Sequence, residues 1–289
     1  MRTLHPLVRL VDEMDLANTY WNSKHGLFKG AVPTDGLISE DDIQNMLDAG
    51  LLRWPYFTLL KEGKQPELGA FTTTRNVAGQ YVKGFADARK VRGLLADGAT
   101  MKMSQLEDWH QPIRTVLEGI EQRLPAELKA YVFYTPCDNT GMLPHRDGSH
   151  VLALQLAGAK EWTIYDAPDQ IDSRPGLNVD PDSHSHTFVM EPGDVLYLPH
   201  GFPHVATARG GTSLHLTLTI TEPTPADLVA ALLSTFGDEF GAGMDDMMPP
   251  DDHQSFATDM VAALCEHLES VDSRVLVDTA VATMRKRTV

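Results

Sequence analysis

The sequence predicts a mainly β core of the antiparallel sandwich or barrel type, with one helical region before it and another after it. Short runs rich in Val, Leu, Tyr, Phe and Thr recur over about residues 129–222 with a hydrophobic period of two, and Gly, Pro and Asp turns separate them. On both sides of this segment the hydrophobic period is that of a helix. The change of period divides the chain into a mostly helical part over about 1–128, the β core, and a helical region over 223–289.

The amino-terminal part contains two clear helix patterns. The segment SEDDIQNMLDAGLL begins at Ser39, a good helix cap followed by first-turn acids, and reaches Gly50, a residue typical of helix ends. The segment SQLEDWHQPIRTVLEGIEQRLP has Ser104 and Glu107 at capping-box spacing, which predicts that a second helix begins there. Its apolar residues recur on one face and are expected in the core: Trp109, Ile113, Val116, Leu117, Ile120 and Leu124.

The β core and the helices after it follow from similar patterns. The expected strands lie in AYVFYTP, VLALQLAG, EWTIYDAP, TFVMEPGDVLYLP and SLHLTLTI. Within EPGD, Pro192 fixes φ and Gly193 is free to take a positive φ, so a tight turn is expected. Further along, TPAD at 224–227 resembles a capped helix start. An apolar stripe at helical spacing predicts another helix, through Phe256, Met260, Leu264 and Leu268.

Composition excludes several classes of protein. The chain has 289 residues, 42% of them hydrophobic and 22% charged, and carries a formal net charge of −16. A nucleic-acid partner is not expected, because general phosphate-backbone binding needs a basic face. Neither a membrane span nor a secretory signal is expected, since no apolar run is long enough. Cys137 and Cys265 form no disulfide framework, which favours a reducing, cytoplasmic location.

Three residues of the core suggest a metal centre. His145 and Asp147 occupy alternate positions, so in an extended chain both side chains point to one face. His204 follows the turn after DVLYLP. Two neutral imidazoles and one carboxylate on the inner wall of a barrel form the facial triad of non-haem Fe(II) oxygenases. Lys160 follows QLAGA, where its side chain could reach a carboxylate without occupying a metal-ligand position. The alternative is that Lys160 is simply a solvated residue at the end of a strand.

Together these segments resemble a known family. TPCDNTGMLPHRDGSHVLALQLAGAKEW, EPGDVLYLPHGFPHVA and SLHLTLTI are similar to the JmjC-type cupin oxygenases, particularly the ribosomal-oxygenase branch of Fe(II)- and 2-oxoglutarate-dependent hydroxylases. YWNSKHGLFKG resembles the amino-terminal Trp-x-x-Lys segment of that branch. The resemblance covers roughly residues 1–222. It implies a double-stranded β-helix (jelly-roll) core, an oxygenase domain over 1–222, and Fe(II), 2-oxoglutarate and dioxygen as cofactor and co-substrates.

The resemblance also implies roles for individual residues. His145, Asp147 and His204 would bind iron, and Lys160 would pair with the distal carboxylate of 2-oxoglutarate. Thr217 would donate a hydrogen bond to that co-substrate. His200 is a rival to His204 on spacing alone, and the family match selects His204.

Other histidines have different expectations. His150 is expected on the opposite strand face from His145, so it is not a predicted ligand. His184 and His186 are expected in a solvated loop, with a substrate lid as the alternative. His215 is predicted either in the core or in the pocket.

This chain departs from the family pattern at two places. Where some members of the branch have Asn and Tyr on the strand before the triad, this chain has Tyr131 and Phe133, so its substrate pocket is expected to differ. About 67 residues follow Glu222, so we expect a small helical region rather than the winged-helix module of that branch. In the related oxygenases a helical region after the barrel dimerises, which implies a homodimer through 223–289.

Three functions are then in competition. The leading hypothesis is hydroxylation of a protein or peptide side chain, supported by the resemblance and by an acidic surface that could accept a basic polypeptide. The second is the same chemistry on a small molecule or on a free or carrier-bound amino acid, which the altered strand positions favour. The third is a non-catalytic cupin that only binds a partner, which the intact metal-binding pattern argues against.

Overall fold

The computed structural model describes residues 4–166, 175–177, 179–180, 182–240 and 249–286, and of Pro250 it describes only the backbone. The α-helices are α1 (Pro6–Glu13), α2 (Glu40–Ala49), α3 (Ala88–Ala96), α4 (Leu106–Trp109), α5 (Gln111–Glu121), α6 (Pro225–Phe240), α7 (His253–Ser270) and α8 (Ser273–Lys286). The strands are β1 (Gly26–Phe28), β2 (Phe57–Leu60), β3 (Thr72–Val77), β4 (Gln80–Ala86), β5 (Thr100–Ser104), β6 (Glu127–Thr135), β7 (His150–Tyr165), β8 (Ser185–Met190), β9 (Val195–Leu198) and β10 (His204–Thr221).

Most of the strands form one antiparallel sheet. Its order is β1-β9-β7-β10-β6-β5-β2, and β8 pairs with β7 beside this path. Strands β3 and β4 form a separate two-stranded sheet. The predicted mainly β core with helices on either side in the sequence is therefore confirmed.

The pairing of β7 with β10 is the longest in the sheet. Its register runs from His204 opposite Ile164 to Ile220 opposite His150, with shifts between Arg209 and Ser213 and between Leu214 and His215. Because β7 continues to Tyr165, the first half of the strand also pairs with β9 and the second half with β8. Lys160, expected beyond the end of a strand, instead lies within β7.

A buried apolar cluster fills the interior of the β core. It combines residues of three strands (β7, β8 and β9) and the turn after β9: Val151, Ala153, Trp162, Ile164, Met190, Leu196, Leu198 and Phe202. Burying aliphatic and aromatic side chains of this size contributes roughly 1.5–3 kcal/mol each, which fixes the strands that carry the polar site residues.

The predicted helix start at Ser39 is confirmed, and the one at Ser104 is wrong. Ser39 caps α2 in a capping box with Asp42, and Gly50 ends the helix at φ 67°. Ser104 ends strand β5 instead, and Glu107 accepts a hydrogen bond from the Ala130 backbone N–H at 2.8 Å. Local capping preference is outweighed here, because pairing with β6 places Ser104 in the sheet.

The predicted long helix is also broken in two. His110 takes φ −117° and ψ 96°, an extended conformation, between α4 and α5. Pro112 follows two residues later, where it occupies the first turn of α5. The expected apolar stripe is buried from Ile113 to Leu124, whereas Trp109 is only partly buried.

The amino-terminal segment is less helical than its pattern indicates. Besides five α-helices, it contains strands β1 to β5. Strand β3, of sequence TTTRNV, is polar and largely exposed, so it has no alternating apolar signal. Strand β2 has four residues, too few for a period to be distinguished from a helix.

The chain divides into two compact units. One comprises residues 1–123 and 128–221, and the other comprises 124–127 and 222–289. In the second unit α6 begins with reciprocal hydrogen bonds between Thr224 and Asp227, as the sequence predicts. Among the helices in the described part of the chain, none combines the length and apolar character needed to cross a membrane.

Candidate active site

The backbone brings His145 and His204 together. Each donates its amide N–H to the carbonyl of the other, at 3.0 Å and 2.9 Å, which forms an isolated antiparallel bridge. His204 is also the first residue of β10 and pairs with Ile164 of β7. The two imidazole rings consequently lie side by side, with ring centroids 4.4 Å apart.

Hydrogen bonds fix the tautomer of both imidazoles. Nδ1 of His145 lies 2.9 Å from the Leu143 carbonyl, and Nδ1 of His204 lies 2.9 Å from the Phe202 carbonyl. A carbonyl oxygen can only accept, so each Nδ1 carries the proton and donates it. In a neutral ring this leaves a lone pair on Nε2, the atom that binds a metal.

Asp147 faces both Nε2 atoms. Its two carboxylate oxygens lie 3.7 Å from Nε2 of His145 and 3.7 Å from Nε2 of His204. Burial, followed by the neighbouring His145, lowers the pKa of His204, against a smaller opposing effect of Asp147. The ring is therefore held neutral. Two lone pairs and a carboxylate that face each other repel, and a cation between them would relieve this repulsion.

The three side chains fit a divalent metal ion. One ligand atom from each of His145, Asp147 and His204 can be chosen so that all lie within 4.8 Å of one another. Two imidazole nitrogens and one carboxylate oxygen are a ligand set suited to iron with positions left open. The backbone carbonyls on Nδ1 supply the outer hydrogen bonds that such ligands need for a fixed orientation.

The three proposed ligands line a cavity of about 320 Å³, and Lys160 and Thr217 line the same cavity. Lys160 of β7 is 3% exposed, and burial lowers its pKa to about 7. Thr217 of β10 is buried and pairs with Ala153. All five predicted site residues therefore surround one cavity.

His215 lies in the wall of the same cavity. The sequence predicted it either in the core or in the pocket, and in the structure it is both buried and in contact with the pocket. It is buried, and its ring stacks on Phe133 at a centroid distance of 4.9 Å and an interplanar angle of 5°. Burial lowers the pKa of His215 well below its ordinary value, and the charges of Lys160 and His204 lower it further. The ring is consequently neutral.

His200 and His150 lie beside each other and are not among the residues that line this cavity. The His200 backbone N–H donates to Nδ1 of His150 at 3.2 Å, and the Tyr197 hydroxyl lies 2.8 Å from the same nitrogen. Trp21, from the segment YWNSKHGLFKG, packs against His150 with ring centroids 3.8 Å apart and the two rings tilted by 36°. His150 is thus packed in this aromatic cluster, as expected for a residue that faces away from His145.

His184 and His186 are exposed near the start of β8. His186 lies 4.9 Å from His184 and 5.7 Å from His25 between ring centroids. Much of the loop before them, at 167–174, 178 and 181, lies outside the described residues. The prediction that this loop is a solvated connection, with a substrate lid as the alternative, therefore stays a prediction.

Sequence reasoning missed several residues of the cavity wall. Lys102, Lys129 and Trp162 line it. Trp162 stacks on His204 at 5.7 Å and meets His215 edge-on at 5.7 Å. The available signal for Lys102 was its place in TMKMS, where it alternates with two methionines that are fully buried.

Comparison with known proteins identifies a domain family that this chain resembles. The model of the JmjC domain matches residues 108–228. The "Bifunctional lysine-specific demethylase and histidyl-hydroxylase NO66" of Drosophila grimshawi is 30% identical over 151 residues, which cover 50% of this chain and 21% of that protein. "Ribosomal oxygenase 2" of Rattus norvegicus is 30% identical over 126 residues, which cover 42% of this chain and 27% of that protein. The chain thus spans about a fifth to a quarter of these relatives.

Solved structures share the fold. That of Escherichia coli ycfD has a TM-score of 0.58 and 17% identity, and covers 91% of this chain and 69% of that one. The complex of the E. coli ribosomal oxygenase YcfD with cobalt and 2-oxoglutarate has a TM-score of 0.54 and 16% identity, with 89% of this chain and 68% of that one covered. The predicted double-stranded β-helix of the JmjC type is therefore confirmed.

Proposed function

We propose that this chain, which contains a JmjC domain homologous to ribosomal oxygenases, is an Fe(II)- and 2-oxoglutarate-dependent dioxygenase. It would hydroxylate a C–H bond of a protein or peptide side chain and release succinate and CO2. The observation that carries the proposal is that Nε2 of His145, Nε2 of His204 and the Asp147 carboxylate face one another in the cavity that Lys160 lines.

In this proposal His145, Asp147 and His204 hold Fe(II). The bound metal supplies the coordination of a 2-oxo acid and the activation of dioxygen. The protein contributes the orientation of its ligands. The bridge between the backbones of His145 and His204, together with the carbonyls on both Nδ1 atoms, keeps their lone pairs aimed at one point.

Lys160 and Thr217 would bind 2-oxoglutarate. A protonated Lys160 forms a charge-assisted hydrogen bond to the distal carboxylate, which offsets the cost of keeping an ammonium group buried. The Thr217 hydroxyl, on the neighbouring strand β10, donates a second hydrogen bond to the co-substrate. Both side chains project from paired strands, so their positions are fixed by the sheet.

A polypeptide substrate is supported by the related proteins, whose names include a lysine demethylase, a histidyl-hydroxylase and a ribosomal oxygenase. A small-molecule substrate is the second candidate, supported by the aromatic Tyr131 and Phe133 in the cavity wall. Incubation with a peptide library and, separately, with free amino acids would distinguish them. Mass spectrometry would detect the gain of one oxygen atom in one set and not in the other.

We also propose a cytoplasmic location and a homodimer. Both cysteines, Cys137 and Cys265, are free thiols, which suits a reducing compartment. Exposed aliphatic side chains on α6 and α7 would form the contact between two copies.

The metal assignment can be tested with a matched pair of variants. His204→Ala removes one proposed ligand, so we expect it to abolish Fe(II) binding and the conversion of 2-oxoglutarate to succinate. His200→Ala removes a buried histidine of the neighbouring turn and should retain both, provided that circular dichroism shows it folded. The opposite result would refute the assignment of His204, and absence of succinate formation by the unmodified protein with any substrate would refute the oxygenase proposal.

A further inference from the structure

The cavity holds more positive charge than the proposed chemistry uses. Lys102, Lys129 and Lys160 all line it, whereas Asp147 is the one carboxylate among the described residues of its wall. This contrasts with the net charge of −16 of the whole chain. An acidic protein whose cavity is cationic is built to admit an anion into that cavity.

The metal and the co-substrate account for only one of these lysines. Fe(II) and a protonated Lys160 together would balance the Asp147 carboxylate and the two carboxylates of 2-oxoglutarate. Lys129 has an acidic neighbour as well. Burial raises the pKa of Glu107, and the attraction of Lys129 is one of the effects that oppose this rise. Lys102 is then the cation whose charge the cofactors leave unbalanced.

Lys102 is held in position on an aromatic surface. It lies on β5 opposite Phe133 of β6, and its ammonium nitrogen is 4.5 Å from the Tyr131 ring centroid and 5.7 Å from that of Phe133. Such contacts are attractive, because the negative face of an aromatic ring favours a cation. They orient the ammonium while leaving its three N–H groups able to donate.

The environment of Lys102 also places it near the metal ligands. Lys102 lines the same cavity as His145, Asp147 and His204. Asp147 is also the charged group that opposes the lowering of the Lys102 pKa by burial. A carboxylate bound to Lys102 would therefore lie close to the proposed iron site. A second ammonium or guanidinium in the same place would meet repulsion from Lys102.

We propose that Lys102 binds a carboxylate of the substrate, so that the oxidised C–H bond lies close to an anionic group. This inference rests on the oxygenase function proposed above, and it names the substrate class. The carboxylate could come from an aspartate or glutamate side chain of a polypeptide, or from the α-carboxylate of a free amino acid. The two sources share one chemistry at Lys102.

Two sets of probes distinguish these sources. The first consists of tripeptides Gly-Xaa-Gly, acetylated and amidated at their ends, with an acidic, an amide or a basic residue at Xaa. The second consists of free amino acids and their α-amides. Binding to the protein loaded with Fe(II) and 2-oxoglutarate is measured by calorimetry without dioxygen, and oxidation is then followed in air by succinate formation and mass spectrometry.

We expect binding and oxidation of capped acidic peptides, or of free amino acids but not their amides. Lys102→Met should weaken binding of the active probe about 10- to 100-fold, the loss typical of a charge-assisted hydrogen bond. Its effect on the Kd of 2-oxoglutarate should be below threefold. Lys102→Arg, which keeps the charge, should restore most of the affinity, and Lys64→Met, at an exposed lysine, serves as the control.

Several results would overturn the inference. Preferential oxidation of basic peptides would contradict it, as would no binding of any carboxylate probe to a protein that binds Fe(II) and 2-oxoglutarate. A larger effect of Lys102→Met on 2-oxoglutarate than on the probe would make Lys102 a co-substrate anchor. Failure of the unmodified protein to bind Fe(II) and 2-oxoglutarate would instead refute the oxygenase proposal itself, and this inference with it.

Discussion

Lys160 shows how one residue can stabilise a complex while it destabilises the fold. Its side chain is 3% exposed, and burial lowers its pKa from 10.5 to about 7. In the unfolded chain the same group stays protonated up to about pH 10.5. Unfolding between these two pH values therefore takes up a proton, so stability rises as the pH increases from 7 to 10.5.

Replacing Lys160 should separate these two effects. Lys160→Met keeps the length of the side chain and removes the buried amine, so we expect the metal-free protein to be about 2–5 kcal/mol more stable at pH 7. The gain should shrink towards pH 10, because removing the proton that the unfolded chain holds costs less free energy as the pH approaches 10.5. Urea unfolding at both pH values measures this, with Lys64→Met as an exposed control.

The same substitution should impair co-substrate binding. Loss of the charge-assisted hydrogen bond predicts a Kd for 2-oxoglutarate about 10- to 100-fold higher at pH 7. The affinity of the unmodified protein should fall as the pH rises above 7, since the ligand must then supply the energy to protonate Lys160. An unchanged affinity in Lys160→Met would show that another residue anchors the co-substrate.

At the residue scale, spacing alone predicted part of the site. His145 and Asp147 were found from their alternate positions, and this holds although His145 lies in an isolated bridge and β7 begins only at His150. Any extended backbone directs residues i and i+2 to one side. His204 was chosen over His200 through family resemblance. The spacing within PHGFPH does not show which of the two histidines lies beside His145 in the fold.

At the element scale, the strands of the core were predictable and those before it were not. The runs between 129 and 222 alternate and end at turn residues, so their pattern matches their environment. Strands β2 and β5 lie at one end of the sheet order in a segment of mostly helical pattern. Lys102 was missed for this reason, since its role depends on the pairing of β5 with β6.

The long β7–β10 pair depends on one glycine. At the register shift, Gly158 has φ +61°, and a Cβ atom added there would lie 1.7 Å from the Thr212 carbonyl oxygen. Gly210 has φ +71° as well, but an added Cβ would meet nothing within 4 Å. The two glycines share the left-handed backbone conformation and differ only in the space around them.

Alanine at these glycines should therefore have unequal effects. We expect Gly210→Ala to cost about 1 kcal/mol, the usual penalty of a left-handed alanine. Gly158→Ala should cost at least about 3 kcal/mol, because the backbone of β10 must also move. Denaturant unfolding gives both free energies, and equal losses would show that the close approach to Thr212 is not required.

At the scale of the whole molecule, the change of hydrophobic period predicted that a helical region follows the core, which the structure contains. The surfaces of these helices could not be predicted in the same way. The apolar stripe at 256–268 predicted the helix that α7 forms, yet Leu268 of that stripe is 50% exposed. A helical period identifies an apolar face but not what covers it.

The exposed aliphatic residues of these helices lead to the last prediction. On α6, Val229 and Leu233 are each 56% exposed and lie one turn apart, so they form one apolar strip. If this strip is the contact between two copies, dimerisation removes its apolar surface from water, which is favourable.

The double substitution Val229→Glu with Leu233→Glu places four carboxylates opposite one another in a symmetric dimer, and we expect monomers by light scattering. Ser234→Glu, at an exposed polar position of the same helix, should leave the dimer intact. A monomeric unmodified protein, or a dimer that survives the double substitution, would rule out this interface.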